Sequence, residues 1–224
     1  MSLFSLFKSK NDSISDQIKK QRDDERTSQE RDDLAKAKAI HEKACVHYEA
    51  KEYDEAAELL LEAAGLGLAD AQRSLAVMHC QGLGVRQDYH KGQELFVKAA
   101  EQGDAKACHN LGVMYYHGFG VAQNAETALS WYEKAAAHDH AEATYNVGVM
   151  LERGEGAPKD MKKAFEHFKK AAELEYPEAI YSLAVCHFDG LGTDKNTKEA
   201  LACLKRACDL GHAAACEALA DYRA

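Results

Sequence analysis

The sequence predicts an all-α chain, a right-handed solenoid of stacked helix pairs. Three observations predict it. One short stretch returns four times, as Gly82-Leu83-Gly84-Val85, Gly118-Phe119-Gly120-Val121, Gly154-Glu155-Gly156-Ala157 and Gly190-Leu191-Gly192-Thr193, always 36 residues apart. A period of that size marks an array in which each unit stacks only on its neighbours. The chain holds 2 prolines in 224 residues, and alanine recurs through its second half, a composition that favours helix. Finally, an N-cap residue stands at the same place in each repeat, as Asp88, Asn124, Asp160 and Asn196, where its side chain accepts from the free amides of a helix's first turn.

Residues 1–33 are expected to be a charged N-terminal extension, either flexible or a frayed helix. After Ile18 apolar residues are nearly absent and charges of both signs alternate, as in Lys19-Lys20-Gln21-Arg22-Asp23-Asp24-Glu25-Arg26, so no helical face exists there to bury. The stretch Met1-Ser2-Leu3-Phe4-Ser5-Leu6-Phe7-Lys8 is apolar over too short a length for a secretory core, and no basic segment precedes it. The chain is therefore placed in the cytoplasm. Leu3, Phe4, Leu6 and Phe7 read as a disordered start or as a contact with a membrane surface or a partner.

Residues 34–68 supply the first helix pair. Ala37, Ile40, Ala44 and Tyr48 recur at helical spacing, and Tyr53-Asp54-Glu55-Ala56 opens a second helix with Leu59, Leu60, Ala63 and Ala64. The pair resembles a tetratricopeptide helix pair. It lacks the Gly-x-Gly insert and is read as an N-terminal cap, since the end units of arrays depart from the consensus.

Four full repeats follow, at 69–104, 105–140, 141–176 and 177–212. In the first helix of each, Ala71, Ala107, Ala143 and Ala179 hold one position and Leu75, Leu111, Val147 and Leu183 a second. A third is tiny throughout (Ala76, Gly112, Gly148, Ala184), which predicts close approach of a neighbouring backbone. The first glycine of each Gly-x-Gly ends that helix, in the left-handed conformation that glycine adopts most easily. The second helix carries a small residue (Gly92, Ala128, Ala164, Ala200), then an aromatic or leucine (Phe96, Tyr132, Phe168, Leu204). Pro177 falls at the first turn of a helix, where its missing N–H costs nothing. Residues 213–224 form one last helix of the first type, a C-terminal cap.

Composition excludes several functions. The formal net charge of −9 argues against a nucleic-acid backbone as the partner, because that binding rests on clustered Lys and Arg. No apolar run reaches the length of a membrane span. The 7 cysteines are an odd number, mostly placed singly in helices, a pattern of reduced thiols in a reducing compartment.

The pattern Ala-x3-Leu-Gly-x-x-Tyr-x2-Gly-x-Gly-Val-x2-Asn at Ala107 to Asn124, followed by Ala128-Leu129-x-Trp131-Tyr132-x-Lys134-Ala135-Ala136, resembles the Sel1-like repeat family, a relative of the tetratricopeptide repeat with a longer loop between helices. The resemblance covers about residues 65–220. Ala157 and Thr193 replace the loop valine, and Ala76 and Ala184 replace the helix glycine. It implies a protein–protein interaction scaffold, with the first helices lining a concave groove. The groove residues it implies are Arg73, His109, Tyr145 and Tyr181 at one position, with the four valines 77, 113, 149 and 185 beside them. Tyr116, Glu152 and Phe188 hold a further position, and His117 and Arg153 another. Tyr116, Tyr145, Tyr181 and Phe188 are the expected anchors, because aromatic residues concentrate interface energy. Arg73, His109, His117 and Arg153 are expected to supply polar selectivity.

Cys208 and Cys216 have the spacing of the disulfide in secreted, cysteine-rich members of the resembled family. Only this junction holds both cysteines; elsewhere the positions are Ala100 with Cys108, Ala136 with Thr144 and Ala172 with Ile180. The expectation is accordingly two buried thiols, with the disulfide as the alternative. His138-Asp139-His140 is a His-x-His at a repeat junction. A zinc site needs three or four converging ligands, and neither His109 nor His117 is placed near it, so no metal and no cofactor is expected.

An enzyme is not expected. The one Ser-x-x-Lys, Ser5 to Lys8, lies in the extension, with no Lys-Thr-Gly or Ser-Asp-Asn to complete a serine hydrolase of that type. The Gly-x-Gly loops follow helices rather than strands, unlike a nucleotide fingerprint. The expected function is that of an adaptor gripping a peptide or helix of another protein. The alternatives are an immunity or inhibitor protein that blocks a specific toxin or enzyme, and a weak β-lactam hydrolase of the cysteine-rich type. Partner identity and oligomeric state stay open.

Overall fold

A computed structural model describes residues 28–223 as an all-α array. The helices are α1 (28–49), α2 (Tyr53–Gly65), α3 (Ala69–Gln81), α4 (Tyr89–Glu101), α5 (Ala105–His117), α6 (Ala125–Ala136), α7 (Ala141–Arg153), α8 (Met161–Glu173), α9 (Pro177–Asp189), α10 (Thr197–Asp209) and α11 (Ala213–Arg223). Odd-numbered helices are the first of each pair and are called A helices; even-numbered ones are B helices. The main helix contacts link elements adjacent in sequence, from α2 on α3 to α10 on α11, which is the packing of a solenoid. The reading of residues 1–27 as a flexible or frayed extension lies outside the described residues. Helix α1 is present by residue 28, yet its first buried residue is Ala37. No helix among the described residues is long and apolar enough to cross a membrane.

Small and branched side chains build the core at the repeated positions. Ala71, Ala107, Ala143 and Ala179 are fully buried, and Leu75, Leu111, Val147 and Leu183 lie beside them. The tiny position makes room for a side chain as well as for the neighbouring backbone. A Cβ on Gly148 would stand 2.6 Å from the Phe168 ring, and one on Gly112 would strike Tyr132. The glycines therefore admit an aromatic ring of the B helix in the same repeat, and the B-helix backbone is close as well, the Ala164 carbonyl lying 3.3 Å from where a Gly148 Cβ would stand. In α11 the matching residues, Leu219 and Ala220, are not buried; among the described residues no B helix follows α11 to pack on them.

Caps hold the helix ends. Asp88, Asn124, Asp160 and Asn196 accept from the backbone N–H groups of Lys91, Thr127, Lys163 and Glu199. The A helices have caps of their own: Asp104 and His140 accept from Ala107 and Ala143, and His212 from Ala215. At the other end, Lys170 donates to the Ala136 carbonyl (2.9 Å) and Arg206 to that of Ala172 (2.7 Å). Each basic side chain thus adds a second, charged donor to a carbonyl at the negative end of the preceding B helix, beside the backbone N–H of Asp139 or Glu175.

The Gly-x-Gly loop uses its two glycines for different tasks. Gly154 ends α7 at φ 77, its N–H bonding to the Met150 carbonyl. Gly156 packs on the first turn of α6 in the preceding repeat, where a Cβ would collide with the Ala125 carbonyl. The loop is thereby pinned to the previous repeat.

Candidate partner-binding groove

Three depressions lie along the A helices in sequence. The first, about 270 Å³ between α1 and α3, is lined by Ala44, Cys45, Tyr48, Leu60 and Val77 with Arg73 and Ser74. The second, about 170 Å³, lies between α3 and α5 and shares Val77 with the first. The third, about 450 Å³, lies between α5 and α7 and shares Val113 with the second. Val77, Val113 and Val149 therefore form a rail along linked hollows. The third hollow is the most polar of these in its chemistry, presenting Tyr116, His117, Glu142, Tyr145, Asn146 and Arg153. It is the candidate site.

The geometry sorts the expected groove residues into two sets. Arg73, His109, Tyr145 and Tyr181 each turn toward the residue 31 positions on, at the start of the next A helix. Arg73 donates to Asp104 at 2.9 Å and also to Asp70 at 2.7 Å. His109 stacks on His140 with ring centroids 4.8 Å apart. Tyr145 lies 5.4 Å from the Tyr176 ring and 5.6 Å from Phe168. Tyr181 stacks on His212 at 4.6 Å. The shared function of this position is to join successive A helices, and the guanidinium of Arg73 is occupied by two carboxylates.

The second set faces outward. The Tyr116 hydroxyl donates to Glu155 at 2.7 Å, and Arg153 reaches the same hydroxyl at 3.5 Å. His117 meets Tyr116 edge-on and stacks on Phe119, which is itself 44% exposed. Glu152 is half-buried on α7, while Phe188 lies along α9 near Tyr222, outside the third hollow. Tyr116, His117 and Arg153, together with Glu155, form one polar and aromatic rim.

Burial sets the charge state beneath the rim. The His109 side chain is 11% exposed, and burial, with His140 adding to it, pushes its pKa down to about 4. The ring is neutral at pH 7, so the 3.6 Å approach of Glu142 is not an ion pair there. Asn146 stands 3.4 Å from the His109 Nε2 and is suited to donate to it. Burial also lowers the pKa of His140. The Tyr132 hydroxyl, held up by desolvation, stays protonated.

Two expectations need correction. His109 does lie beside His140; the repeat alignment hid this because the contact joins a helix centre to the next junction. Among the described residues, no three or more His, Cys, Asp or Glu side chains converge on a metal-sized site. Cys208 and Cys216 are joined by a disulfide and are not two buried thiols. The hairpin from α10 into α11 brings their Cα atoms to 4.7 Å, and both are half-buried. Of the five free cysteines, Cys108 and Cys186 are buried and Cys45 is exposed.

Sequence reasoning missed Asn146, Asn110 and Glu155. Ser74, Asn110, Asn146 and Ser182 share one repeat position, and polar residues held at a 36-residue step were a usable signal. Glu155 replaces the apolar Leu83, Phe119 and Leu191 of its sister loops, an outlier that marks the third hollow.

The family model described as Sel1 repeat matches four times, at residues 69–104, 105–140, 141–176 and 177–212. A Sel1 repeat protein from Oxalobacter formigenes is similar with a TM-score of 0.77 and 28% identity, covering 80% of this chain and 75% of that one. A protective antigen present in uropathogenic Escherichia coli strains, displaying an SLR fold, is similar with a TM-score of 0.77 and 26% identity. It covers 82% of this chain, which spans only 40% of that protein's length. An immunity protein from Pseudomonas aeruginosa shares the fold at 20% identity and a TM-score of 0.53, over 83% of this chain and 72% of that one. No curated protein matches.

Proposed function

The chain belongs to the Sel1 repeat family, and from that premise we propose that it is a non-enzymatic adaptor that grips a peptide or helical segment of another protein along its A helices. The observation that carries this reading is the third hollow. It is a depression of about 450 Å³ with an apolar floor of Val113, Val149 and Met150 and an outward rim of Tyr116, His117 and Arg153. Tyr and Arg around a desolvated centre are the composition of interface hot spots. The hydrogen bond from Tyr116 to Glu155 fixes the ring before a partner arrives, which lowers the entropy lost on binding.

The test is an affinity capture from the native cell extract with mass spectrometry, comparing the intact chain with Tyr116→Ala/Arg153→Glu. Arg153 is exposed and Tyr116 is half-buried, so circular dichroism is expected to hold while the melting temperature falls by a few degrees. A specific prey is expected to fall by about tenfold or more, the effect of losing one hot-spot side chain. Equal recovery of every prey by both chains would place the binding surface elsewhere.

A further inference from the structure

The third hollow differs in charge from one end to the other. Glu142, in the first turn of α7, and Arg153, in its last turn, both line it. They stand eleven positions apart, which is three helical turns or about 16 Å at the helical rise. Val113, Val149 and Met150 form the floor between them.

Neither charge is neutralised within the chain. Glu142 is 50% exposed, and the His109 ring 3.6 Å from it is uncharged at pH 7. No Lys or Arg among the described residues pairs with it. Arg153 is exposed and reaches the Tyr116 hydroxyl at 3.5 Å, a neutral group that itself donates to Glu155. Glu152 belongs to the other side of α7. It holds the repeat position of Cys80 and Tyr116, which line the gaps toward the following A helix. Lys106, in the first turn of α5, is exposed and does not line the hollow.

We infer that the segment held here is an amphipathic α-helix of the partner, about three turns long. It lies antiparallel to α7, with acidic residues of its first turn at Arg153 and basic residues of its last turn at Glu142. This deepens the adaptor reading above and rests on it.

The backbone decides for a helix. The floor side chains offer no polar atom, and the N–H and C=O groups of α5 and α7 are bonded within their own helices. An extended segment laid there would leave its own backbone groups unpaired against that floor. A helix arrives with those groups satisfied and lays one apolar face, at i, i+3 or i+4 and i+7, on the valines.

Charge decides the direction. A helix favours acids in its first turn and bases in its last, through its own macrodipole. Laid antiparallel to α7, such a helix meets an opposite charge at each end of the hollow, and the two macrodipoles also oppose. Laid parallel, it meets a like charge at each end, which is destabilising.

The test reads direction and length on the prey. The photo-cross-linker benzoylphenylalanine replaces Lys106 in one chain and His117 in another, at the first and last turns of α5. After irradiation in the native cell extract, the joined prey residues are located by peptide mass mapping. The residue reached from position 117 is expected to precede the one reached from position 106 by about eight to twelve residues of one helix. The opposite order, or a gap outside that range, such as about five residues for an extended chain, would overturn the proposal. So would a product from one position alone, or one in which the joined protein is a second copy of this chain. Glu142→Lys is the second measurement, and recovery of the same prey is expected to fall about tenfold; unchanged recovery also overturns the proposal. Prey lost with Tyr116→Ala/Arg153→Glu, beside a reversed order or a five-residue gap, keeps the groove and discards the helix. No cross-linked prey from either position discards both.

Discussion

His109 sits beneath the groove, stacked on His140, and both rings are held neutral by burial. The ordinary imidazole pKa is about 6.5, whereas that of His109 is about 4. A histidine with a depressed folded pKa binds its proton more tightly in the unfolded chain. Its contribution is therefore complete above about pH 6.5 and is lost as pH falls toward 4, up to about 3 kcal/mol at the limit. His140 adds to the loss, since its Nδ1 accepts the Ala143 N–H as a helix cap and a protonated ring has no lone pair there. Tyrosine holds the His109 position in the next two repeats, as Tyr145 and Tyr181. His109→Tyr is expected to fold and to remove about half of the fall in melting temperature between pH 7 and pH 4.5. An undiminished fall in thermal scans would assign the acid sensitivity to other groups. None of this was legible in the sequence, where the two histidines stand 31 residues apart and belong to different repeats.

At the scale of the element, the A-helix/loop/B-helix unit was readable almost throughout. The B-helix N-caps, the terminal glycine and Pro177 act through their immediate neighbours, so local chemistry identified them, whereas the A-helix caps Asp104, His140 and His212 came only with the structure. The second loop glycine was not readable as a contact, because its partner is the preceding repeat. The difference is measurable. Gly156→Ala places a methyl group on the Ala125 carbonyl at φ 74, whereas Gly103→Ala, at φ 88, has nothing within 4 Å of its Cβ. Gly103→Ala is expected to cost about 1–2 kcal/mol of backbone strain. Gly156→Ala is expected to cost about 2 kcal/mol more, from the backbone overlap. Urea titrations of the two variants would reveal equal losses if the loop were not pinned to α6. The tolerance of Asp139 and Glu175 at φ 55 and 60, in the place that Gly103 and Gly211 hold, agrees with open space at that position.

Over the whole molecule, contacts between neighbouring elements make stability a chain of local interfaces. The disulfide between Cys208 and Cys216 fastens α11 to α10, where Leu219 and Ala220 have no covering helix among the described residues. Loop closure over such a short segment is worth about 2.5 kcal/mol. Cys208→Ser is expected to speed hydrogen exchange in α11 and at the end of α10, with α3 to α8 unchanged, because each repeat is held by its own neighbours. Faster exchange throughout would mean that the array unfolds as one cooperative body.

The sequence by itself determined the helix pairs, their 36-residue step, the B-helix caps and the repeat positions whose side chains vary. A repeat prints its local rules four times over, and each rule acts within a few residues. Only the tertiary structure decided which of those variable side chains are free. Arg73, His109, Tyr145 and Tyr181 are drawn into contacts with the next junction, whereas Tyr116, His117 and Arg153 are left at the rim. The choice depends on where one A helix meets the start of the next, a distance through space that the spacing of residues along the chain does not encode.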